Sequence, residues 1–579
     1  MMKLSHHFRA WTPPSRRFIS VVALACVALA YVVIGPHLLH PRYIVNDNII
    51  NLNFIIAGYP LDYMGVFLTV LLHRAYVSQP AIPWYALCLY LMHVISVFMW
   101  LSLIWRVFKP WWVALAFSGV LFACYLFFLV ELDYTSTSEM LCISSLAWAC
   151  LEVLERPPGY LRYLALGVVF TLGMLVRPQG VIGAFACVLP AALMIVGHCL
   201  RERPTRQEML RLILIVVVFL APAALNWTAD SAYRRYTLTP QQAAYEAFNE
   251  PRGVLHGLSP ERQTGINSNL SLMKKAGWTV RDGQNFFQWR FLDERIYTPA
   301  SLRTLIAAES YAAHPFKDMY YHSLLILDSE TGLLLLLLCS LPFFLSAIRR
   351  HPWLATLGLL LPFYCVALAS FLSAFLTFRD RTEVPFITSF GFLALIISGY
   401  LTTHPANTPG RIKTLFTTIG VSLAAISAVL SVQSLRLMQR FDLNWEGLTK
   451  IELRVLNKDY AGSIILSQPI FGLQLENTNP LAMTPLYFHP IDMVWDTFSP
   501  YFYDEIKPLG IQHGYELVDS LIDRKDAYFL GRERDGEILI AAYAHRSKDD
   551  VQMIEVCRFR PDIKLFRLVT LKKPKSVSR

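Results

Sequence analysis

The chain is punctuated by apolar runs of roughly 20 residues, and no other feature limits its folding more. A helix of that length crosses a hydrocarbon core of about 30 Å. The runs occupy residues 18–40, 84–105, 111–130, 138–154, 161–176, 181–200, 212–229, 331–348, 353–377, 385–402 and 414–435. In hydrocarbon every backbone polar group needs an internal partner, so such spans predict helices; barrel strands are only about 10 residues long and alternate in polarity. Of the 579 residues, 55% are hydrophobic and 16% charged, where a soluble domain carries about a quarter charged residues. The expectation is an α-helical polytopic membrane protein with about 11 transmembrane helices. Residues 61–77 are apolar but carry Asp62, His73 and Arg74, and read as a helix lying at the interface.

Basic residues set the orientation. Sixteen Lys and Arg flank one set of span ends, from Lys3 to Lys413, against five in the opposite short loops. The positive-inside rule then places the N-terminus in the cytoplasm, and an odd number of spans places the C-terminus outside. The formal charge of +10 is accounted for by this topology signal, and no nucleic-acid partner is expected. A basic stretch ending in Arg16-Arg17 precedes the first run without a small-residue cleavage site, which reads as an uncleaved signal anchor. Nine of the ten cysteines lie in apolar runs, and only Cys557 lies in a polar region, so the tail has no internal disulfide framework.

Two large segments fall on the outer side: a loop at 230–330 and a tail at 436–579. The domain division is therefore a transmembrane domain over 1–435, including that loop, and a small external α/β domain over 436–579. In the tail, SIILS (463–467), EILIAAYAH (537–545) and KLFRLVTL (564–571) read as strands, with Arg534-Asp535-Gly536 as a turn between them.

Polar residues gather at the outer ends of the spans. Asp47 follows the first span, between Asn46 and Asn48. Glu131 and Asp133 lie in ELDYTSTSE, Arg177 lies in RPQG, and Arg379, Asp380, Arg381 and Glu383 lie in FRDRTEVP. An arginine fork suits a phosphate, and a carboxylate suits removal of a hydroxyl proton. Together they fit displacement of a lipid-linked phosphate from the anomeric carbon of a sugar, by the logic of an inverting glycosidase. Asp47 is the candidate catalytic base. It is set among Ile44, Val45, Ile49 and Ile50, with Asn46 and Asn48 expected to orient it.

Several stretches resemble the bacterial multispanning GT-C-type membrane glycosyltransferases, which use polyprenyl-phosphate-linked donors. They are NDNIINLNFIIAGYPLDYMGVFLTVLL (46–72), PWYALCL (83–89), LDYTSTSEM (132–140), PRGVLHG (251–257), GWTVRDGQNFFQWRFLDERIYT (277–298) and FRDRTEVP (378–385). The resemblance implies a GT-C-like fold and a transfer reaction on the outer face. It puts the catalytic aspartate on Asp47 and the second-loop acid on Glu131 or Asp133. Relatives often show adjacent acids where this chain has Asp47-Asn48, so a metal held by paired acids is not expected there, and no cofactor is expected. The substrate-binding candidates are Glu131, Asp133, Arg177, Asp282, Arg379 and Arg381. In the outer loop, Trp278, Arg281, Asp282, Trp289 and Arg290 offer aromatic faces and polar groups suited to a sugar; the alternative is that the tryptophans anchor the loop at the membrane interface.

The implied partners are a polyprenyl-phosphate-linked sugar donor, a surface glycan or lipid-linked acceptor, and membrane lipids. The implied location is a bacterial inner membrane with the tail in the periplasm. The alternatives are a transporter or flippase, and a ligase or polymerase, of lipid-linked saccharides. The first predicts charged or broken helices at the midplane, whereas the charges here sit at one face. The second usually rests on a large outer loop and lacks the acidic first loop.

Overall fold

The computed structural model describes residues 42–43, 46–61, 63–108, 111–154, 160–202, 206–258, 260–312, 450–467, 487–493, 496–544 and 551–571, with scattered residues between 340 and 422. Its first part is helical. Strand β1 (Arg42–Tyr43) is followed by α1 (Asn46–Ala57), α2 (Val66–Ser78), α3 (Trp84–Val107) and α4 (Trp111–Val130). Strand β2 (Glu131–Leu132) leads into α5 (Tyr134–Leu154), α6 (Tyr160–Val176), α7 (Gly180–Glu202) and α8 (Arg206–Thr237). The apolar runs from 84 to 229 thus form helices, and the 61–77 segment forms α2. Among the described residues, α3 and the Ile213–Thr237 part of α8 are long and apolar enough to cross a membrane. The spans expected at 18–40, 331–348, 353–377 and 414–435 lie wholly or mostly outside the described residues, while half of 385–402 is described and helical, with Phe390, Phe392 and Leu393 in the core.

These helices bury one shared core, in which Trp100, Tyr125, Phe128 and Phe170 are fully enclosed. Small polar residues link the helices. Ser96 Oγ of α3 lies 2.6 Å from the Tyr125 hydroxyl and 2.9 Å from the Met140 carbonyl, contacts that replace water inside an apolar bundle. Outward, α8 exposes Ile213, Val216, Val217, Leu220, Leu225 and Trp227, a face better suited to lipid than to water.

Helix α5 begins four residues before the expected span because the polar run TSTS is absorbed into its first turns. Thr137 Oγ1 donates to the Asp133 carbonyl at 2.6 Å, and Ser136 Oγ donates to the same carbonyl at 3.0 Å. Hydroxyls that satisfy local carbonyls in this way let Ser and Thr sit in a helix. Helix α1 stops at Gly58, whose φ of +81° suits a residue without Cβ. Tyr59 N–H returns to the Phe54 carbonyl at 2.9 Å, and His73 Nδ1 donates to the Ile55 carbonyl at 2.9 Å. The end of α1 is thereby fixed to α2.

Between α8 and residue 312 the segment expected to lie outside (the outer helical unit, by that expectation) folds into its own helices: α9 (Pro240–His256), α10 (Pro260–Ser268), α11 (Leu270–Ala276), α12 (Val280–Phe287) and α13 (Pro299–Ala312). Its starts are written in the sequence. Thr239 and Gln242 close a capping box on α9, with Pro240 at the first helical position. Thr279 and Asp282 close another on α12. Each box satisfies two otherwise orphaned N–H groups. Phe248, Leu255, Trp278, Phe286, Phe291 and Leu302 form the core. Trp278 is therefore not a sugar platform: it is buried, and its Nε1 donates to the Ile296 carbonyl at 3.0 Å.

The tail comprises α14 (Lys450–Asp459), β3 (Ile464–Ser467), β4 (His489–Asp492), α15 (Pro500–Ile506), α16 (Leu517–Leu521), β5 (Ala527–Gly531), α17 (Glu533–Tyr543), β6 (Val551–Arg558) and β7 (Lys564–Thr570). The strands form one sheet in the order β4-β3-β5-β7-β6. Strands β4, β3 and β5 are parallel, while β7 pairs antiparallel to both β5 and β6. The runs at 463–467 and 564–571 are strands, as expected. The run at 537–545 is not: residues 533–543 form α17, with Arg534-Asp535-Gly536 inside it. The buried positions Gly536, Leu539, Ile540 and Tyr543 recur at helical spacing. Gly536 lets that helix press on the sheet, since a Cβ there would meet Met553 Sδ at 2.3 Å and Phe529 at 2.9 Å.

The tail docks on the outer helical unit and on α1. Arg290 pairs with Asp535, and His513 Nδ1 meets Glu294 Oε1 at 2.9 Å. The Arg295 guanidinium lies 3.8 Å from the Tyr515 ring. Arg290 is thus engaged in holding the tail rather than presented to a sugar. Tyr59, just past α1, donates to Asp504, and Phe54 packs on Tyr501 and Tyr245.

Candidate active site

The strands β1 and β2 pair in parallel, Arg42 with Glu131 and Tyr43 with Leu132. This bridge sets the start of α1 beside the start of α5, and the polar residues of the two helix starts meet there. Asp133 is the N-cap of α5. Its Oδ2 accepts from the Ser136 N–H at 3.0 Å and its Oδ1 from Asn48 Nδ2 at 3.2 Å. Asn48 Oδ1 accepts from the Tyr85 hydroxyl at 3.0 Å and from the Tyr134 N–H at 3.2 Å. Asn48 and Asp133 are both fully buried. Two side chains from distant loops therefore satisfy two of the free N–H groups at one helix start. Asn48 was expected to orient Asp47; its amide engages Asp133, Tyr85 and Tyr134 instead.

The network runs on into the bundle. Thr137 Oγ1 lies 2.8 Å from His93 Nε2. Because the Thr137 proton is directed to the Asp133 carbonyl, His93 Nε2 is the donor in that pair, and its Nδ1 has no partner. The buried imidazole is thereby held with a proton on Nε2.

Arg177 follows α6 and closes over this helix start. Its Nη1 donates to the Tyr134 hydroxyl and to Thr135 Oγ1, both at 2.7 Å. The guanidinium lies 5.1 Å from the Tyr134 ring and 5.9 Å from the Tyr63 ring. Its carbonyl accepts from Ser138 Oγ at 3.1 Å. The placement of Tyr63 follows from two anchors. Gly65 N–H donates to the Leu175 carbonyl at 2.8 Å, and Asp230 Oδ1 of α8 accepts from the Val66 N–H at 3.0 Å, at the start of α2. Among the described residues no carboxylate forms an ion pair with Arg177. It is a half-buried cation positioned by hydroxyls and rings.

Helix α9 lies on the other side of Tyr63, whose hydroxyl is 3.4 Å from where a Cβ on Gly253 would stand. Its neighbour Arg252 lies 5.2 Å from the Trp289 ring, and His256 stacks on that ring at 3.8 Å with planes 17° apart. Trp289 has a φ of +59°. It follows α12 at the position where a helix-ending motif usually carries glycine: Trp289 N–H returns to the Phe286 carbonyl at 3.0 Å, and Arg290 N–H to the Asn285 carbonyl at 2.7 Å.

The sequence candidates are distributed as follows. Asp133 and Arg177 meet at the start of α5. Asp47 lies in the first turn of α1 and Glu131 in β2, so the backbone brings both to the same junction, but their side chains lie outside what is described. Asp282 closes the capping box of α12, with Oδ2 accepting from Thr279 N–H at 2.8 Å, and no contact joins it to Arg177. Arg379 and Arg381 lie outside the described residues. Among the described residues no group of three or more histidine, cysteine or carboxylate side chains is arranged to hold a metal ion. Tyr134, Thr135 and Tyr63 were not singled out in the sequence. The only sequence signal for them is that two belong to the same polar stretch as Asp133.

No protein-family model matches the chain, and no curated protein matches it. Among solved structures it is similar to the crystal structure of ArnT from Cupriavidus metallidurans bound to undecaprenyl phosphate. The match covers 94% of this chain and 97% of that chain at 12% identity, with a TM-score of 0.35. A similarity at that score supports no statement about the chemistry of this chain.

Proposed function

We propose that the chain is a GT-C-type membrane glycosyltransferase. It takes a sugar from a polyprenyl-phosphate-linked donor and passes it, with inversion, to a hydroxyl of a surface glycan or lipid-linked acceptor on the outer face. Residues 1–435 build the transmembrane domain and 436–579 the external domain, with about 11 spans and a cytoplasmic N-terminus, as the basic-residue distribution favours. The observation that carries the reading is Arg177, a guanidinium that pairs with no carboxylate among the described residues and is fixed by two hydroxyls at 2.7 Å. A cation so held, next to a carboxylate already occupied by the protein, calls for an anion from outside, and the planar fork suits a phosphate ester.

In this reading the acceptor oxygen forms a bond to the anomeric carbon as the bond from that carbon to the phosphate oxygen breaks. The acceptor proton passes to Asp47, and the developing phosphate charge is met by Arg177, with Arg379 and Arg381 converging on it. Glu131 and Asp282 complete the substrate-binding set. Arg177→Lys keeps the charge and loses the fork. Transfer by the purified folded enzyme is expected to fall by about 10²-fold or more, and near-normal transfer would remove Arg177 from the donor site.

A further inference from the structure

Asn51 lies in the middle of α1 and is 1% exposed, yet neither Nδ2 nor Oδ1 has a hydrogen-bond partner. Asn48, one turn before it, has its amide fully engaged by Asp133, Tyr85 and Tyr134. A buried amide without partners is costly, and an apolar side chain would avoid that cost. Among the described residues the Asn51 amide therefore holds no other group in place.

Its position is informative. Residues three and four apart share a helix face, so Asn51 lies on the face of Asp47 and Asn48, about 6 Å and about 4.5 Å along the axis from them. Toward the C-terminus the same face carries Phe54, which packs on Tyr245 and Tyr501. Asn51 thus lies between the polar start of α1 and an aromatic cluster contributed by the outer unit and the tail.

We infer that Asn51 is a substrate-binding residue whose amide receives a carbohydrate hydroxyl. The inference rests on the glycosyl-transfer reading above. The chemistry selects the group: Oδ1 needs a donor and Nδ2 needs an acceptor. A phosphate satisfies only Nδ2 and a cation only Oδ1, whereas a hydroxyl both donates and accepts. The hydroxyl belongs to the donor sugar or to the acceptor saccharide, and the two sources are separable.

The test uses the full-length protein in lipid nanodiscs, with undecaprenyl phosphate and undecaprenyl-phosphate-linked hexoses as probes, and mass analysis of surface glycan in cells making each variant at equal level. Asn51→Leu, which removes the amide but is the larger side chain, is expected to bind undecaprenyl phosphate normally where the helix accommodates it. If the hydroxyl is the donor's, affinity for the hexose-linked lipid falls about tenfold or more. If it is the acceptor's, both affinities hold and sugar transfer falls about tenfold or more. Asn51→Ala, which removes atoms and adds none, is read in the same way where leucine does not fit. Unchanged binding and unchanged transfer in both variants overturn the inference alone, provided that Arg177→Lys has lost undecaprenyl phosphate binding. A wild-type protein that binds neither lipid overturns the glycosyl-transfer reading, and this inference with it.

Discussion

Helix α5 has an acid at each end, and its two ends treat arginine in opposite ways. In its last turn Glu152 is enclosed, and its Oε1 meets Arg106, Arg162 at 3.6 Å and the Trp148 Nε1–H at 2.9 Å. The protein itself answers those arginines. At the other end Asp133 is claimed by Asn48 and by the backbone, and Arg177 is held by Tyr134, Thr135 and two rings. The ends are nineteen residues apart, about 28 Å along the helix, close to the thickness of a hydrocarbon core. The difference teaches how to separate scaffold from site in such a bundle. On the proposed reading, an arginine matched by a buried carboxylate belongs to the scaffold, and one positioned by hydroxyls receives the donor phosphate.

The comparison can be broken most decisively at Asp47. If the start of α1 carries the base, Asp47→Asn lowers transfer per folded enzyme by about 10²- to 10⁴-fold and leaves donor binding intact; normal turnover would leave the open end of α5 without its chemistry. Next in size is Glu152→Gln. Removing one partner of a buried pair costs about 3 kcal/mol, so the thermal midpoint falls while transfer per folded molecule is retained. A variant that stays stable but loses transfer would erase the contrast.

Asp133→Ala acts at smaller scale. It removes a cap, worth about 1 kcal/mol, and chemical denaturation of wild type and variant measures that difference. The smallest effect lies at the contact between Tyr59 and Asp504. Burial, reinforced by that carboxylate, raises the Tyr59 pKa to about 12. The folded value lies above the unfolded one, so the contact's contribution is complete below pH 10 and lost as pH rises through about 12. A pH series of melting temperatures for wild type and Tyr59→Phe should converge above that range, and a gap that persists would deny the phenol its donor role.

Much of the helical framework could be read from periodicity, because a 20-residue apolar run such as 84–105 has few other ways to satisfy its backbone. Local chemistry was legible too: Thr239-Pro240 and Thr279 open helices where their types predict. What escaped were properties of distance. Tyr134 and Thr135 hold a guanidinium more than forty residues away in the chain, and no spacing announces it. Asn48 sits beside Asp47 in sequence but turns to Asp133, because the bridge between β1 and β2 brings α5 to it. The tail segment at 537–545 misled because Ile, Leu and Ala suit strand and helix alike, and its packing against Phe529 and Met553 decides between them. Trp278 resembled a sugar platform in the sequence and proved to be core.

Trp289 has a consequence for anyone who would redesign this protein. Backbone statistics ask for glycine there, since the left-handed conformation strains a bulky residue. Such a change would relax the end of α12. It would also remove the ring that packs against the outer unit's core and against the cluster shared by α1 and the tail. The outer helices would then be individually sounder and collectively misaligned. One uncomfortable backbone angle in this chain serves as a hinge pin, and smoothing it would trade alignment for local comfort.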